Sequence, residues 1–374
     1  MPSLPNNEVK YFDSTMTGAP VLSGTPGSWV AVLNTILADG FPSVTVASLA
    51  VASDVATATV TAGHGLTMYG TSSVGPVVKI AGATPAGLNG EFRLASVPNS
   101  TTFTFATSGV ADCTASGTIT AQRAAAGWTK AFTGTNKAAY SRPNVAATTM
   151  LLRVDDTTTT GATIRMYETM SDIDTGTGLS TANAIAERYF YKSSVASLTA
   201  RSWRAYADGR TVYFFSKADG AYWYGAMMFG DVIAYKSADV YACCLQGSTG
   251  SMVSANSQFG DLIGSAIFSR SYLGSGAAIA TGLGYSHRKC SSFGDASQLY
   301  PAPADAGFHC WPVELWESPN VARGLAPGIY CPIHTAVTTM DGMWIEGANT
   351  NRLLFSQCVY SSKWAAFDVS GPWQ

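Results

Sequence analysis

Between Ser43 and Gln122 the chain runs through six short stretches, VTVASLAV, ATATVTA, PVVKIAG, GEFRLASV, TTFTFAT and GTITAQ, separated by segments containing Gly, Pro, Asn or Asp. Runs of this length, rich in β-branched and aromatic residues and spaced by roughly 8 to 12 residues, predict strands of a small all-β sandwich or barrel. Alternation in GEFRLASV turns Phe92 and Leu94 to one side, with Val97 following them inward, and Phe103 and Phe105 of TTFTF share a face. The NG pair at Asn89 and Gly90 has the tight-turn chemistry for re-entering the fourth run.

Within this module TAGHGL sets His64 between two glycines. Gly63 and Gly65 give the backbone freedom where one strand ends and the next begins, and the imidazole can hydrogen-bond across the turn. No second His, Cys or carboxylate stands near it in sequence, so a structural role is expected rather than a ligand or catalytic one.

Ahead of the module, TPGSWVAVLNTILADGF predicts a helix over residues 26–39. Thr25 is placed to cap it, Pro26 suits its first position and Gly40 suits the left-handed residue beyond its end. Trp29, Leu33, Ile36 and Leu37 fall at i, i+4, i+7 and i+8 and form one apolar stripe. The Pro- and Gly-rich segment before it reads as an extended arm that orders on a neighbour.

After the module, residues 123–144 read as a connector and residues 145–374 as a larger β-rich domain. MLLRVDD and ATIRMYE are strands around a Thr-rich turn, and SWRAYADGRTVYFFS is a hairpin around Asp208 and Gly209, with Trp203 on one face and Tyr206 on the other. WYGAMMFGDVIAYKS and VYACCLQG continue the sheet, and TANAIAERYFY has the composition of a short helix. The expected fold is therefore mainly β: an arm and amphipathic helix (1–42), a small all-β module (43–122), a connector (123–144) and a larger β-rich domain (145–374).

Composition narrows the function classes. Charged residues make up 12% of the 374, against about 25% in an average soluble protein, and the net charge is −2 with no Lys/Arg cluster, so the footprint of a nucleic-acid binder is missing. No apolar run is long enough for a membrane span, and MPSLPNNEVKYFDS lacks the basic and apolar regions of a signal peptide, which predicts synthesis in the cytoplasm without processing. The seven cysteines are odd in number and include the vicinal Cys243 and Cys244; free, mostly buried thiols are expected.

Several residue groups are chemical candidates. His287 and Cys290 in HRKC, with Cys331 and His334 in CPIH, offer two Cys and two His for zinc if the segments meet, although the gap between the pairs exceeds that of the usual zinc modules. DIDTGTG begins like a calcium loop at Asp172 and Asp174, then departs from it at Gly176 and at Asn183, where the twelfth-position Glu would stand; a solvated turn is expected. Asp155, Asp156, Glu168, Asp172 and Asp174 contain possible glycosidase pairs that only geometry can decide. Nucleophile elbow, Walker loop and dinucleotide fingerprint are missing from the sequence. Tyr222, Trp223, Tyr224 and Trp316 are aromatics suited to stacking on sugars, or to a core or interface.

The stretch YFDSTMTGAPVLSGTPGSWVAVLNTILADGF resembles the opening of virion-associated proteins of tailed bacteriophages, with a GAP-x-LSG-like turn and a helix ending in DGF. ATATVTAGHGLTMYG, VKIAGATPAGLNGEFRLASV and TTFTF are similar to a small β-module recurrent in phage tail and baseplate proteins, marked by HGL, GA-x-P, NG-x-F and a closing aromatic strand. SWRAYADGRTVYFF, MMFGDVIAYKSADVYAC, LYPAPADAGF, RGLAPGIYCPIH and FDVSGPW fit the same family.

That resemblance implies a non-enzymatic structural protein of the virion, in the tail tip or baseplate, made in the bacterial host cytoplasm. Its partners would be copies of itself and other tail proteins, it would need no cofactor, and it brings no catalytic residue to carry over. On this reading the stripe of Trp29, Leu33, Ile36 and Leu37 docks on an adjacent subunit. The alternatives are an adsorption protein binding host-surface glycan through its aromatics, and a capsid decoration or head–tail connector protein.

Overall fold

The computed structural model describes residues 8–180, 187–248, 266–274, 279–280, 310–317, 321–332, 341–346, 352–360 and 363–373. The chain is mainly β, as its alternating and turn-punctuated runs require.

The six runs of the small module close into a barrel. Val44–Ala52 pairs with Val55–Val60, which pairs with Thr102–Ala106, then Gly90–Asn99, Val77–Ala81 and Thr120–Arg123, and the last strand returns to Val44–Ala52, every pair antiparallel. Closure leaves no open edge in the ring. Phe92, Leu94, Phe103 and Phe105 fill the interior with Leu49, Ile80 and Leu88. A register shift between Leu94 and Ser96 changes the alternation, so Val97 also packs against this core. Asn89 acts through its side chain rather than as a two-residue turn: its Oδ1 accepts from Ala83 N at 2.8 Å and its Nδ2 donates to Ala83 O at 2.7 Å, holding the loop before Gly90–Asn99.

The rest of the chain is a trunk of three stacked sheets. The central one has the order Lys10–Asp13, Trp203–Ala207, Thr211–Ser216, Tyr224–Asp231, Cys243–Gln246, Ala266–Phe268 and Ile279–Ala280. One of its faces, with Trp203, Phe214 and Phe229, packs on Tyr140, Leu152, Ile164 and Phe190 of a five-stranded sheet. The other, with Tyr206, Tyr213 and Phe215, packs on Ile329, Phe355 and Phe367 of an outer sheet built around Val321–Pro332, Leu353–Tyr360 and Lys363–Asp368. Thr211–Ser216, TVYFFS, is therefore buried at every residue, and its near-continuous apolar run is the sequence mark of a strand covered on both sides. The hairpin turn before it is held by Asp208, whose Oδ1 accepts from Arg210 N and Thr211 N.

Three expected boundaries move. The arm does not wait for a neighbour: Lys10–Asp13 is an edge strand of the central sheet, paired with Trp203–Ala207. Residues 123–144 are no connector, since Thr129–Gly134 and Lys137–Ser141 form a hairpin in the five-stranded sheet. In TANAIAERYFY, Arg188–Tyr191 is a strand rather than helix, drawn into the sheet beside Gly161–Tyr167, and residues 181–186 lie outside the described residues.

The helix begins two residues later than Pro26, as an α-helix over Ser28–Leu33, and continues as a π-helix over Asn34–Asp39. Thr25 does not cap it; the first free N–H groups go to Asp156 from the five-stranded sheet, Trp29 N at 2.7 Å. Gly40 takes φ +82° just past the end, the positive φ expected there, but with ψ 175° it is extended rather than a left-handed helical cap. The carbonyls of Ile36 and Leu37 accept from Ala126 N and Trp128 N, tying the helix to the segment that leaves the barrel. Phe41 N donates to Arg123 O at 3.1 Å, so the chain enters and leaves the barrel side by side. The barrel is thus an insertion into the trunk.

Candidate functional site

Trp29, Leu33, Ile36 and Leu37 do form one stripe, but each has zero exposure within its own chain. They pack with Phe190, Phe214 and Trp128 between the helix and the sheets, and the Trp29 indole donates to Tyr191 O at 3.0 Å. The expectation of an intersubunit surface is corrected: a stripe of this width must be buried, and the trunk's own sheets bury it.

The aromatic candidates separate. Tyr222 is exposed. Trp223 is a core residue at 5% exposure, its Nε1 donating to Asp341 at 2.9 Å and its ring covered by Arg204 at 4.4 Å, and offers no face to a sugar. Tyr224 stands in Tyr224–Asp231 and Trp316 in Cys310–Glu317, with side chains outside the described residues.

The acidic candidates are bound by cations. Asp156 is fully buried against Lys192, whose Nζ also donates to Thr25 O. Glu168 pairs with Arg270 at 2.5 Å. Asp155 and Asp174 both accept from Arg153 Nη2, and Lys137 reaches both. Hydrogen bonds from Lys137 and Arg153 hold Asp174 below the ordinary carboxylate range. Burial works to raise Asp155, and hydrogen bonds from Thr157 and Arg153 outweigh it and keep it low as well. A glycosidase acid needs a raised carboxyl, so the lowered Asp155 and Asp174 do not suit that role, and Asp156, which burial raises, is enclosed in the core against Lys192 and Trp29 N. DIDTGTG forms a turn in which Ser171 N donates to Thr175 O and Asp172 Oδ1 accepts from Asp174 N.

His287, Cys290 and His334 lie outside the described residues, and Cys331 is described only as backbone of Val321–Pro332. Among the described residues no group of three or more His, Cys, Asp or Glu is gathered as a metal would require. His64 has the turn role expected of it. Its Nδ1 accepts from Leu66 N at 3.0 Å, which makes Nε2 the protonated nitrogen, donating to Asn99 O at 3.0 Å. Gly63 and Gly65 on either side take φ +78° and +61°.

A substantial cavity among the described residues was not marked by any motif. A cleft of about 690 Å³ opens between barrel and trunk, walled by Tyr11, Asp13 and Trp344 on the trunk side and Tyr69 and Arg123 on the barrel side. The Trp344 and Tyr69 rings stack at 5.0 Å. Arg123, the last residue of the last barrel strand, is only 6% exposed, and its Nη1 has no hydrogen-bond partner among the described residues. Burial pushes its guanidinium down, with the phenols of Tyr69 and Tyr11 acting the other way. Asp13 is fully engaged elsewhere, its carboxylate accepting from Arg204 Nε, Tyr11 OH and Thr15 N. The only hint in the sequence is an isolated Arg passing into the apolar run AAAGW. No family model matches this chain and no curated protein matches it.

Proposed function

We propose that the chain is a non-enzymatic structural component of a tailed-phage virion, stationed in the tail tip or baseplate and working by packing against copies of itself and neighbouring tail proteins. The observation that carries the reading is the inserted barrel. The residues resembling the phage tail module, from ATATVTAGHGL to TTFTF, make a ring with its own core, mounted on the trunk through adjacent strands. A unit mounted in this way can be added to a load-bearing body without breaking it. The low charge of the chain, 12% of residues, suits broad contacts that bury few unpaired ions.

Because the arm and helix belong to the trunk's own core, assembly on this reading uses outer faces of the folded chain. Quantitative mass spectrometry of purified particles tests it: the chain is expected in several copies per particle. Its absence from particles of a phage that encodes it would end the proposal.

A further inference from the structure

Arg123 is the anomaly of the cleft. A guanidinium carries five N–H donors and a permanent charge, and burying it without an anionic partner is unfavourable. Several other strongly buried cations of the trunk have carboxylates: Arg142 with Asp231 at 2.7 Å, Arg323 with Asp239 and Glu317, Lys192 with Asp156. Arg123 has aromatic neighbours instead, lying over the Phe41 ring at 5.9 Å and beside Tyr69. A small cavity of about 20 Å³ borders the same side chain, room for one water. A water satisfies an N–H and leaves the charge uncompensated.

We propose that the cleft between barrel and trunk binds a carboxylated sugar residue, with Arg123 as the donor to its carboxylate. The remaining lining fits the rest of such a ligand. Thr15, Thr17, Thr67, Asn99 and Ser100 bring hydroxyl and amide groups to the walls, matching a polyol, and the half-buried Trp344 indole adds apolar surface for the ring carbons of a pyranose. The volume falls in the range of small-ligand sites. Since Asp13 is neutralised by Arg204, the positive charge of Arg123 is left for the ligand.

The test is thermal unfolding and calorimetric titration of the full chain with D-glucuronate, D-glucose and acetate as probes. Glucuronate is expected to bind saturably and raise the melting temperature, glucose and acetate far more weakly. Arg123→Met is expected to weaken glucuronate binding by at least about thirtyfold, the lower end of what losing a buried charged partner costs, while melting at the same or a higher temperature than the parent, because it removes an uncompensated charge. Thr17→Trp, which fills the cleft from an exposed position and leaves Arg123 in the chain, is expected to abolish binding and keeps the test decisive if Arg123→Met fails to fold. Equal binding of glucose would overturn recognition of the anion, and equal binding of acetate would overturn recognition of the sugar. No binding of glucuronate, or binding that survives Thr17→Trp, would overturn the site.

Discussion

The backbone N–H of Trp29 donates to Asp156 Oδ2 at 2.7 Å, across 127 positions of sequence. The helix carries no side-chain cap of its own, and this carboxylate takes that part from the neighbouring sheet while also compensating the buried Lys192. One residue thus satisfies a helix terminus and a buried charge together.

Asp156→Ala is therefore expected to destabilise the trunk by about 3–5 kcal/mol, since it strands a buried ammonium as well as removing a cap. The double variant Asp156→Ala with Lys192→Met is expected to recover much of that loss. Urea unfolding of the single and double variants measures it, and equal losses in both would show that the charge pair is not the cause.

Asp208 gives a pH dependence of defined sign. Burial pushes its carboxyl up from 3.8 to about 6, against hydrogen bonds from Arg210 N and Thr211 N and the charges of Arg210 and Lys10. Its Oδ2 has no hydrogen-bond partner among the described residues. The folded chain then holds this proton more tightly than the unfolded one, so the contribution to stability is largest below about pH 4 and is lost as pH rises through 6. Lowering the pH from about 7 to about 5 is expected to add about 1 kcal/mol through this site. Asp208→Asn keeps the Oδ1 acceptor and should flatten that part of the profile; unfolding titrations of parent and variant with the same pH slope would contradict this.

Cys243 and Cys244 are adjacent, free and fully buried, and burial first of all pushes both thiols up to about 12. At mildly alkaline pH both remain protonated and shielded. Alkylation followed by peptide mapping is expected to leave the peptide carrying them unmodified in the folded protein and to label it fully in concentrated guanidinium. Rapid labelling under native conditions would count against the packing of the central sheet.

Replacing Val44 to Ala121 by a short Gly/Ser linker is expected to leave a folded trunk, because Phe41 N and Arg123 O already meet at 3.1 Å. The contacts given up include the ion pairs of Lys10 with Glu91 and of Glu8 with Arg93 and the packing of the Tyr69 ring on Tyr11 and Trp344, all at the margin of the trunk's core. Near-ultraviolet circular dichroism and a cooperative melt check the trunk, and loss of both would show that the barrel is part of its core.

The barrel was legible in the sequence because its signals are local: alternation puts Phe92, Leu94, Phe103 and Phe105 inward, and turn residues punctuate each strand. The two-sidedness of the central sheet was legible too, in the opposite faces assigned to Trp203 and Tyr206. What surrounds a face was not. The stripe at Trp29, Leu33, Ile36 and Leu37 states that something must cover it, and periodicity holds no record of whether the cover is the same chain. The capping role of Asp156 depends on a partner 127 positions away, and the isolation of Arg123 depends on the arrangement of every carboxylate around it. Neither leaves a local pattern.

Because the central sheet is sandwiched, its Tyr206, Tyr213 and Phe215 face stays bare during synthesis until the ribosome has delivered Phe367, more than 150 residues after Phe215. A nascent chain of this design emerges sticky for most of its second half, and its yield in a cell is governed by whatever shields that aromatic surface before the final strands arrive.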